Sequence, residues 1–172
     1  MVLKKNSHQK DRRRNEHLLQ NTHPRHIADF KPKIRRRKVL KVINKNSDLY
    51  INNEKVSFYL PEKMVKNSEG KEQIIIEVLT GYELYEKVKT KRPLEDNVLD
   101  MLLKNPRLIP KKWKRDKDGN TYFIFFWGTI YKDSRNRSYV RCLYFDGKYW
   151  QTSIYWLGFC WNFLDPALVL DL

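Results

Sequence analysis

The side chains best suited to acid–base or metal chemistry are few in this sequence, and their spacing does not suggest a shared site. All four histidines precede residue 27, in a segment with few apolar residues: His8, His17, His23 and His26. The two cysteines, Cys142 and Cys160, lie 18 residues apart within an apolar, aromatic segment. Histidine catalysis requires an imidazole that the fold holds beside a nucleophile, and these spacings match no zinc-ligand pattern. The sequence therefore predicts two free thiols, no catalytic residue within residues 39–172 and no cofactor.

Two groups of acidic residues permit a metal-binding interpretation. One group flanks and follows the apolar run at 74–79: Glu72, Glu77 and Glu83. Its order is like that of metal-dependent nuclease cores, but the run lacks the acid-x-Lys pair that those enzymes use. The other group alternates along a polar stretch: Asp116, Asp118 and Asn120. It matches the first half of a calcium loop, whose completing glycine and glutamate are missing. We expect a solvated turn there and rank a nuclease third among the possible functions.

The first 38 residues are strongly basic. They contain 13 Lys and Arg against 3 Asp and Glu, a net charge of +10, whereas residues 39–172 hold 22 and 17, a net charge of +5. Two clusters bracket this segment: Arg12, Arg13 and Arg14, then Arg35, Arg36, Arg37 and Lys38. Arginine binds phosphate through a bidentate fork, and polycations bind nucleic acid through counterion release without reading its sequence. We therefore predict a flexible basic arm that contacts the phosphates of RNA or DNA.

The rest of the chain adds basic residues with aromatic neighbours. One cluster surrounds Trp113: Lys111, Lys112, Lys114 and Arg115. Arg137 and Arg141 lie close in sequence to tyrosines, an arrangement suited to phosphate contact combined with base stacking. These residues complete the predicted nucleic-acid site of a non-enzymatic, sequence-independent binding protein. The alternative is a protein-interaction module whose arm folds on a partner protein.

Composition divides the chain into two parts. Residues 1–38 are the predicted arm, and residues 39–172 have the apolar content and strand-like alternation of a single domain. No apolar run approaches the roughly 20 residues that cross a bilayer. The start, MVLKKNSHQK, lacks the apolar core of a secretory signal. We expect a cytoplasmic protein with no transmembrane segment and a stable folded unit over 39–172.

The elements that would position these residues are those of an α+β domain. Short strands with a hairpin turn at Asn52-Asn53 open the domain. A loop at 66–73 and a strand at 74–79 follow, and then Thr80 N-caps a helix. A second helix spans 93–104, with Pro93 in its first turn and a stop before Pro106. An antiparallel sheet covered by one or two short helices is expected.

The C-terminal part of the domain is rich in aromatic residues and predicted to be β. Between Tyr122 and Phe163 lie 16 of the 23 aromatic residues, within an aromatic β segment at 121–163. Three antiparallel strands are predicted, at 122–131, 139–146 and 148–157, with a tight Asp146-Gly147 turn between the last two. Alternation along these strands predicts the buried residues: Trp127, Val140, Cys142, Trp150, Ile154 and Trp156.

Several strings in this part form an ordered set of motifs. They are NVLDMLLKNPRLIPKKWK, FFWGTIYKDS, YVRCLYFDGKYW and YWLGFCWNFLDPALVL. In this order they resemble a set of small uncharacterised proteins of uncultured, ultrasmall bacteria of the candidate phyla. The resemblance covers roughly residues 75–170 and implies no activity, cofactor or catalytic residue. It does not extend to the arm. Similar proteins tend to have an acidic pair after the proline, where this chain has Lys111 and Lys112.

Overall fold

The structure, a computed structural model, describes residues 31–32, 41–162 and 164–171 of the 172, and of residues 31–32 only the backbone. The strands are β1 (Lys31–Pro32), β2 (Val42–Lys45), β3 (Asp48–Ile51), β4 (Glu54–Tyr59), β5 (Glu62–Lys66), β6 (Glu72–Ile76), β7 (Leu79–Thr80), β8 (Phe123–Lys132), β9 (Ser138–Phe145), β10 (Trp150–Trp156), β11 (Cys160–Trp161) and β12 (Ala167–Leu170). The described α-helices are α1 (Gly81–Val88) and α2 (Asp96–Lys104). Two 3-10 turns, Pro106–Leu108 and Lys111–Trp113, follow α2.

A large sheet organises the domain. Its strands lie in the order β10-β9-β8-β12-β4-β3-β2. The strand β1 pairs with the C-terminal end of β8, whereas β12 pairs with β8 nearer its start. All pairs are antiparallel except β12 and β8, which are parallel at Ala167 and Phe125. The strands β5 and β6 form a separate hairpin, and β7 pairs with β11. The predicted α+β class is therefore confirmed.

In the described part of the chain, one helix packs against each face of the sheet. On β8, Ile124 and Phe126 belong to a core with α2, whereas Phe125 and Trp127 belong to a second core with α1. This alternation follows from the strand pleat, which directs successive side chains to opposite faces. The strand predicted at 122–131 therefore lies inside the sheet, as β8, with apolar side chains on both faces.

Local turn and cap signals predicted the structure correctly. Asn52 and Asn53 adopt positive φ of 51° and 70° in the β3–β4 hairpin. Thr80 caps α1 through a capping box, because its hydroxyl accepts from the Glu83 N–H and the Glu83 carboxylate accepts from the Thr80 N–H. The three predicted aromatic strands appear as β8, β9 and β10, and their turn at Asp146-Gly147 is present.

The second helix begins later than predicted. Pro93 lies outside α2 and bridges Val169, and the Leu94 N–H donates to the carbonyl of Leu168 at 2.9 Å. The Leu94 carbonyl accepts from the Gly128 N–H at 2.8 Å. A Cβ at Gly128 would lie 2.7 Å from the Pro93 carbonyl oxygen, so only glycine permits this approach. Pairing with β12 and β8 therefore holds Pro93 and Leu94 in extended backbone and delays the helix to Asp96.

Among the strands of the domain, β5 and β12 are two that the sequence analysis did not predict. The segment at 66–73 was expected to be a loop, but its ends extend β5 and β6, and only Asn67–Lys71 form the turn between them. The strand β12 follows Pro166 and fills the gap between β8 and β4. Of the predicted core, Trp127, Val140, Cys142 and Ile154 are buried. The other two, Trp150 and Trp156, are only half-buried because β10 lies at the edge of the sheet.

The predicted arm and domain boundary fall largely on positions that are not described. Lys31 and Pro32, inside the arm, pair with Lys132 and Tyr131 of β8. The boundary at 39 lies outside the described residues and stays a prediction. Neither described α-helix has the length and apolar character needed to cross a bilayer.

Candidate nucleic-acid interface

The basic segment at 111–115 is anchored by an aromatic side chain. Trp113 is buried in the core beneath α2, where its ring lies 5.4 Å from that of Phe58. It belongs to a single 3-10 turn, so the residues around it project outward. Lys111, Lys112 and Arg115 are exposed. Trp113 therefore holds the basic cluster in place and is not itself available for base stacking.

The four basic side chains of this cluster are not equivalent. Lys112 forms an ion pair with Asp48, which also binds Lys55 at 2.9 Å. The hydrogen bonds from Lys112 and then Lys55 hold the pKa of Asp48 below its ordinary value. Arg115 donates to the carbonyl of Gly119 at 2.8 Å, which fixes its guanidinium beside the following turn. Lys112 is thus partly neutralised, and Lys111 and Arg115 are better placed to meet a phosphate.

The remaining lysine of the cluster connects it to the end of the β9–β10 hairpin. The Lys114 ammonium lies 3.8 Å from the ring centroid of Phe145, in cation–π geometry. The Phe145 ring packs edge-on against Trp150 at 5.4 Å. In the hairpin turn, the Lys148 ammonium lies 5.0 Å from the Tyr149 ring, and Tyr149 is 58% exposed. This end of the hairpin combines positive charge with an accessible aromatic face.

The turn that presents Lys148 and Tyr149 is held by one carboxylate. Asp146 Oδ1 accepts from the Lys148 and Tyr149 N–H groups, each at 2.7 Å. Its Oδ2 accepts from the Gln151 amide at 3.1 Å. Gly147 has a φ of 109°, a left-handed conformation that suits glycine. The Asp-Gly pair thus fixes the position of the exposed tyrosine.

Acidification should loosen this turn. The N–H groups of Tyr149 and Lys148 hold the pKa of Asp146 below its ordinary value. Because the folded-state pKa is lowered, the carboxylate stabilises the turn fully above the ordinary aspartate pKa. That contribution is lost as the pH falls from there through the folded-state pKa. An NMR titration of the Asp146 carboxyl should give a lower midpoint in the folded protein than in urea. Equal midpoints would show that these hydrogen bonds do not form in solution.

The predicted contact at Arg137 lies in the β8–β9 connection. Its Nε donates to Asp133 Oδ2 at 2.7 Å, and its guanidinium lies 5.8 Å from the Tyr139 ring. Burial raises the pKa of Asp133, but hydrogen bonds led by the Arg137 N–H outweigh it, so the pKa lies below its ordinary value. The half-exposed guanidinium keeps donors for a phosphate, although Asp133 offsets its charge.

The predicted contact at Arg141 is not at the surface. Arg141 is 5% exposed and its Nη1 lies 2.7 Å from Asp100 Oδ1 and 3.6 Å from Asp96 Oδ2. Asp96 is fully buried, and its Oδ1 accepts from the Thr129 hydroxyl at 3.2 Å. The charge of Arg141 is therefore directed into the space between α2 and the sheet. We correct the predicted site by leaving Arg141 out of the interface.

The predicted nucleic-acid contacts within residues 39–172 form two separate groups in the structure. Arg137 precedes β9, whereas Phe145, beside Lys114, ends it, so the eight residues of β9 separate them. At about 3.4 Å per residue, the two groups lie roughly 25 Å apart. Seven further predicted contacts lie outside the described residues: Arg12, Arg13, Arg14, Arg35, Arg36, Arg37 and Lys38.

The acidic residues considered for metal binding do not share a site. Three of them bind other groups of the protein. Glu83 caps α1, and Glu77 binds Lys87 at 2.9 Å. Asp116 accepts the N–H groups of Asp118 and Asn120 in the expected turn. Within the described ranges, no three His, Cys, Asp or Glu side chains lie close enough to share a metal ion. The nuclease interpretation stays a prediction.

Two residues of this surface were missed at the level of sequence, Lys148 and Tyr149. The signal was present, because the Asp146-Gly147 turn predicts a hairpin end and Tyr149 directly follows a lysine there. At the tip of a tight hairpin, a tyrosine has few neighbours to bury it. An aromatic residue beside a cation in such a turn is a candidate for stacking on a base.

Comparison of this chain with known protein families, curated protein sequences and solved structures finds no match. The resemblance of residues 75–170 to small bacterial proteins stays a prediction. Function must therefore be inferred from the charges and contacts described above.

Proposed function

We propose that this protein binds RNA or DNA in the cytoplasm through phosphate contacts that do not depend on base sequence. The observation that carries the proposal is the charge distribution. Of the net charge of +15, +10 belongs to residues 1–38 and +5 to the other 134 residues. Such a local concentration of positive charge releases counterions when it meets a nucleic-acid backbone. The basic segment supplies the affinity, and the folded domain adds contacts.

The cation–aromatic end of the β9–β10 hairpin supports a role for the domain. Lys148 places positive charge beside the exposed ring of Tyr149, and Lys114 lies over the Phe145 ring of the same hairpin. Every base has a π-face, so stacking on tyrosine tolerates any sequence and suits unpaired strands. The domain therefore contributes a secondary contact that favours single strands.

Replacing six arginines with alanine should weaken binding at least tenfold at near-physiological salt. The positions are Arg12, Arg13, Arg14, Arg35, Arg36 and Arg37. Each phosphate contact removed should flatten the log–log salt dependence by roughly 0.9 for duplex and 0.7 for single strands. Because these are backbone contacts, the loss should be similar for all sequences. Fluorescence anisotropy with labelled RNA and DNA over a salt series measures both effects.

The β5–β6 hairpin provides a matched control. Lys63, Lys66 and Lys71 are basic, but the acids Glu62, Glu69 and Glu72 lie in the same hairpin. Replacing these three lysines with alanine should leave the affinity and its salt dependence nearly unchanged. Wild-type protein that shows no salt-dependent binding to either nucleic acid would refute the proposal. Equal losses of binding free energy per charge removed, six in one variant and three in the other, would show that only net charge matters.

A protein-interaction module is the second candidate, and the same hairpin favours it. Met64 and Ile74 lie directly opposite each other on β5 and β6 and are 61% and 63% exposed. Isolated two-stranded hairpins are marginally stable in water, and exposed apolar pairs of this kind are typical of contact surfaces. A partner protein with an apolar surface would cover them. If wild-type protein shows no salt-dependent binding to RNA or DNA, this function takes precedence.

A further inference from the structure

The chain contains two Asp-Gly pairs in exposed turns, Asp118-Gly119 and Asp146-Gly147. In each pair the glycine has a positive φ, 83° and 109° respectively. Apart from the neighbouring residues, a Cβ at either glycine would meet no described atom within 4 Å. Glycine has no side chain to obstruct its own nitrogen, so the preceding aspartate can approach it closely. Both turns therefore have room for a reaction between side chain and main chain.

The reaction that such pairs undergo is isomerisation of aspartate through a cyclic imide. The glycine nitrogen attacks Cγ of the protonated aspartic acid, so that an N–Cγ bond forms and the Cγ–OH bond breaks. The hydroxyl leaves as water with the amide proton. A water molecule then opens the ring at the main-chain carbonyl carbon of the aspartate and breaks its bond to the nitrogen. The product is isoaspartate, whose main chain runs through the former side chain and whose mass is unchanged.

At Asp146 the reacting carboxylate itself holds the turn. Its Oδ1 accepts from the N–H groups of Lys148 and Tyr149, each at 2.7 Å, and its Oδ2 accepts from the Gln151 amide at 3.1 Å. These bonds tie the carboxylate to residues beyond Gly147. They also stabilise its charged form, which is the unreactive one. The side chain must release them before its Cγ can reach the Gly147 nitrogen.

At Asp118 a different carboxylate holds the turn. Asp116 Oδ1 accepts from the N–H groups of Asp118 and Asn120 at 2.9 and 2.8 Å, and its Oδ2 accepts from the Asn120 side chain at 2.9 Å. The Asp118 carboxylate takes no part in these bonds. The Gly119 N–H donates to the Asp116 carbonyl at 3.2 Å, at the long end of the range for such bonds. The turn therefore keeps its shape while the exposed Asp118 side chain turns toward the Gly119 nitrogen.

We propose that Asp118 is a site of spontaneous isomerisation in the folded protein, whereas the hydrogen bonds of the Asp146 carboxylate protect the second Asp-Gly pair. Both pairs are exposed and both glycines have positive φ, so the main difference is which aspartate accepts the hydrogen bonds of the turn. Three bonds must break at Asp146, against one long bond from the attacking nitrogen at Asp118. This inference does not rest on the proposed nucleic-acid binding.

Isomerisation at this turn acts on the basic cluster at 111–115. The Arg115 guanidinium donates to the Gly119 carbonyl at 2.8 Å, and the main chain of Arg115 pairs with Thr121 in an isolated bridge across the same turn. Isoaspartate lengthens the main chain by one carbon between residues 118 and 119, so the Gly119 carbonyl moves relative to the guanidinium. The reaction therefore weakens the hold of this turn on Arg115.

Ageing the full-length protein at mildly acidic pH and 37 °C, once folded and once in urea, tests the proposal. After chymotrypsin digestion, an isoaspartate peptide elutes separately from its aspartate form at the same mass, and electron-transfer fragmentation between its Cα and Cβ identifies the position. Folding should slow isomerisation at Asp146 about fivefold or more, the rate equivalent of one ordinary hydrogen bond. The rate at Asp118 should stay within about twofold of its value in urea, since no bond of its carboxylate holds the turn.

Two variants serve as matched controls. Asp118→Glu should abolish the isomerised peptide from the first turn, because glutamate would have to close a larger ring. Gln151→Ala removes one donor from the Asp146 carboxylate. It should raise the rate at Asp146 in the folded protein and leave the rate at Asp118 unchanged.

The expected result is isoaspartate that accumulates at residue 118 of the folded protein and is suppressed by folding at residue 146. Equal suppression at both sites would overturn the inference, because the fold would then protect Asp118 as well. An isomerised peptide that persists in Asp118→Glu would also overturn it, since Asp116 would then be the reacting residue.

Discussion

Arg141→Met should lower the free energy of unfolding by about 3–5 kcal/mol at neutral pH. The guanidinium is the cation between Asp100 and the fully buried Asp96, at 2.7 and 3.6 Å. Methionine fills similar space but removes the positive charge that Arg141 places beside the fully buried Asp96 carboxylate. Removing one partner of a buried ion pair costs more than the pair contributes, because an uncompensated charge remains. Urea denaturation followed by tryptophan fluorescence measures the change.

A second substitution shows whether charge is the cause. Asp96→Asn in the Arg141→Met background removes the stranded charge and keeps an oxygen for the Thr129 hydroxyl. The double variant should recover at least half of the lost stability. If the two substitutions simply add, lost packing rather than an unpaired carboxylate explains the effect. If Arg141→Met is as stable as wild type, Arg141 is not buried with Asp96 in solution.

Trp127→Ala should also lower the free energy of unfolding by about 3–5 kcal/mol. Trp127 is buried at the centre of the core beneath α1, with ring centroids 5.5 Å from Trp161 and 6.2 Å from both Tyr85 and Phe125. Alanine leaves a cavity that the three surrounding aromatic rings cannot fill without moving β8. The loss should appear as a lower denaturant midpoint.

Trp127→Phe is the matched control. The Trp127 indole N–H is buried and donates to no acceptor in the described part of the chain. Phenylalanine removes this unsatisfied donor and keeps most of the aromatic packing. It should therefore cost much less than alanine. A phenylalanine variant as unstable as the alanine variant would mean that the indole N–H binds an acceptor after all.

The parts of the fold that were predictable depend on neighbours in sequence. Asn52 and Asn53 both adopt the positive φ that a tight hairpin turn requires. The Thr80 cap pairs with Glu83, only three residues further along the chain. The Asp146-Gly147 turn fixes its own geometry and the pairing of the strands on either side. For such signals the interacting residues lie within about five positions of each other, so a short stretch of sequence is enough to predict the local structure.

The elements that were missed depend on distant residues. The strand β12 is a four-residue apolar run, too short to show a period, and it is a strand because β4 and β8 provide partners on both sides. Pro93 suits a helical first turn, but Val169 and Gly128 hold it and its neighbour in extended backbone. No local sequence pattern shows that pairing with distant residues will compete with helix formation at this position.

The burial of Arg141 was within reach of the sequence. The Asp146-Gly147 turn sets the register of β9 and β10 and places Arg141 opposite Ile154, a residue assigned to the buried face. Asp96 and Asp100 are four residues apart and therefore share one face of α2. Combining the register with that face would have predicted an internal ion cluster. The two lysines at 111 and 112 look alike in sequence, and only the position of Asp48 distinguishes them.

The central position of β12 has a consequence for the order of biosynthesis. As the chain is made, β2–β4 and β8–β10 emerge before Ala167–Leu170, and no main-chain pairing in the described sheet yet joins the two sets. The ladder that pairs Leu170 with Val56 closes a separation of 114 residues, and such distant pairing forms slowly. A nascent chain stalled before residue 167 would hold two half-sheets with bare inner strands. Such bare edges pair readily with other chains, so the large sheet is protected from that pairing only after Ala167–Leu170 has been made.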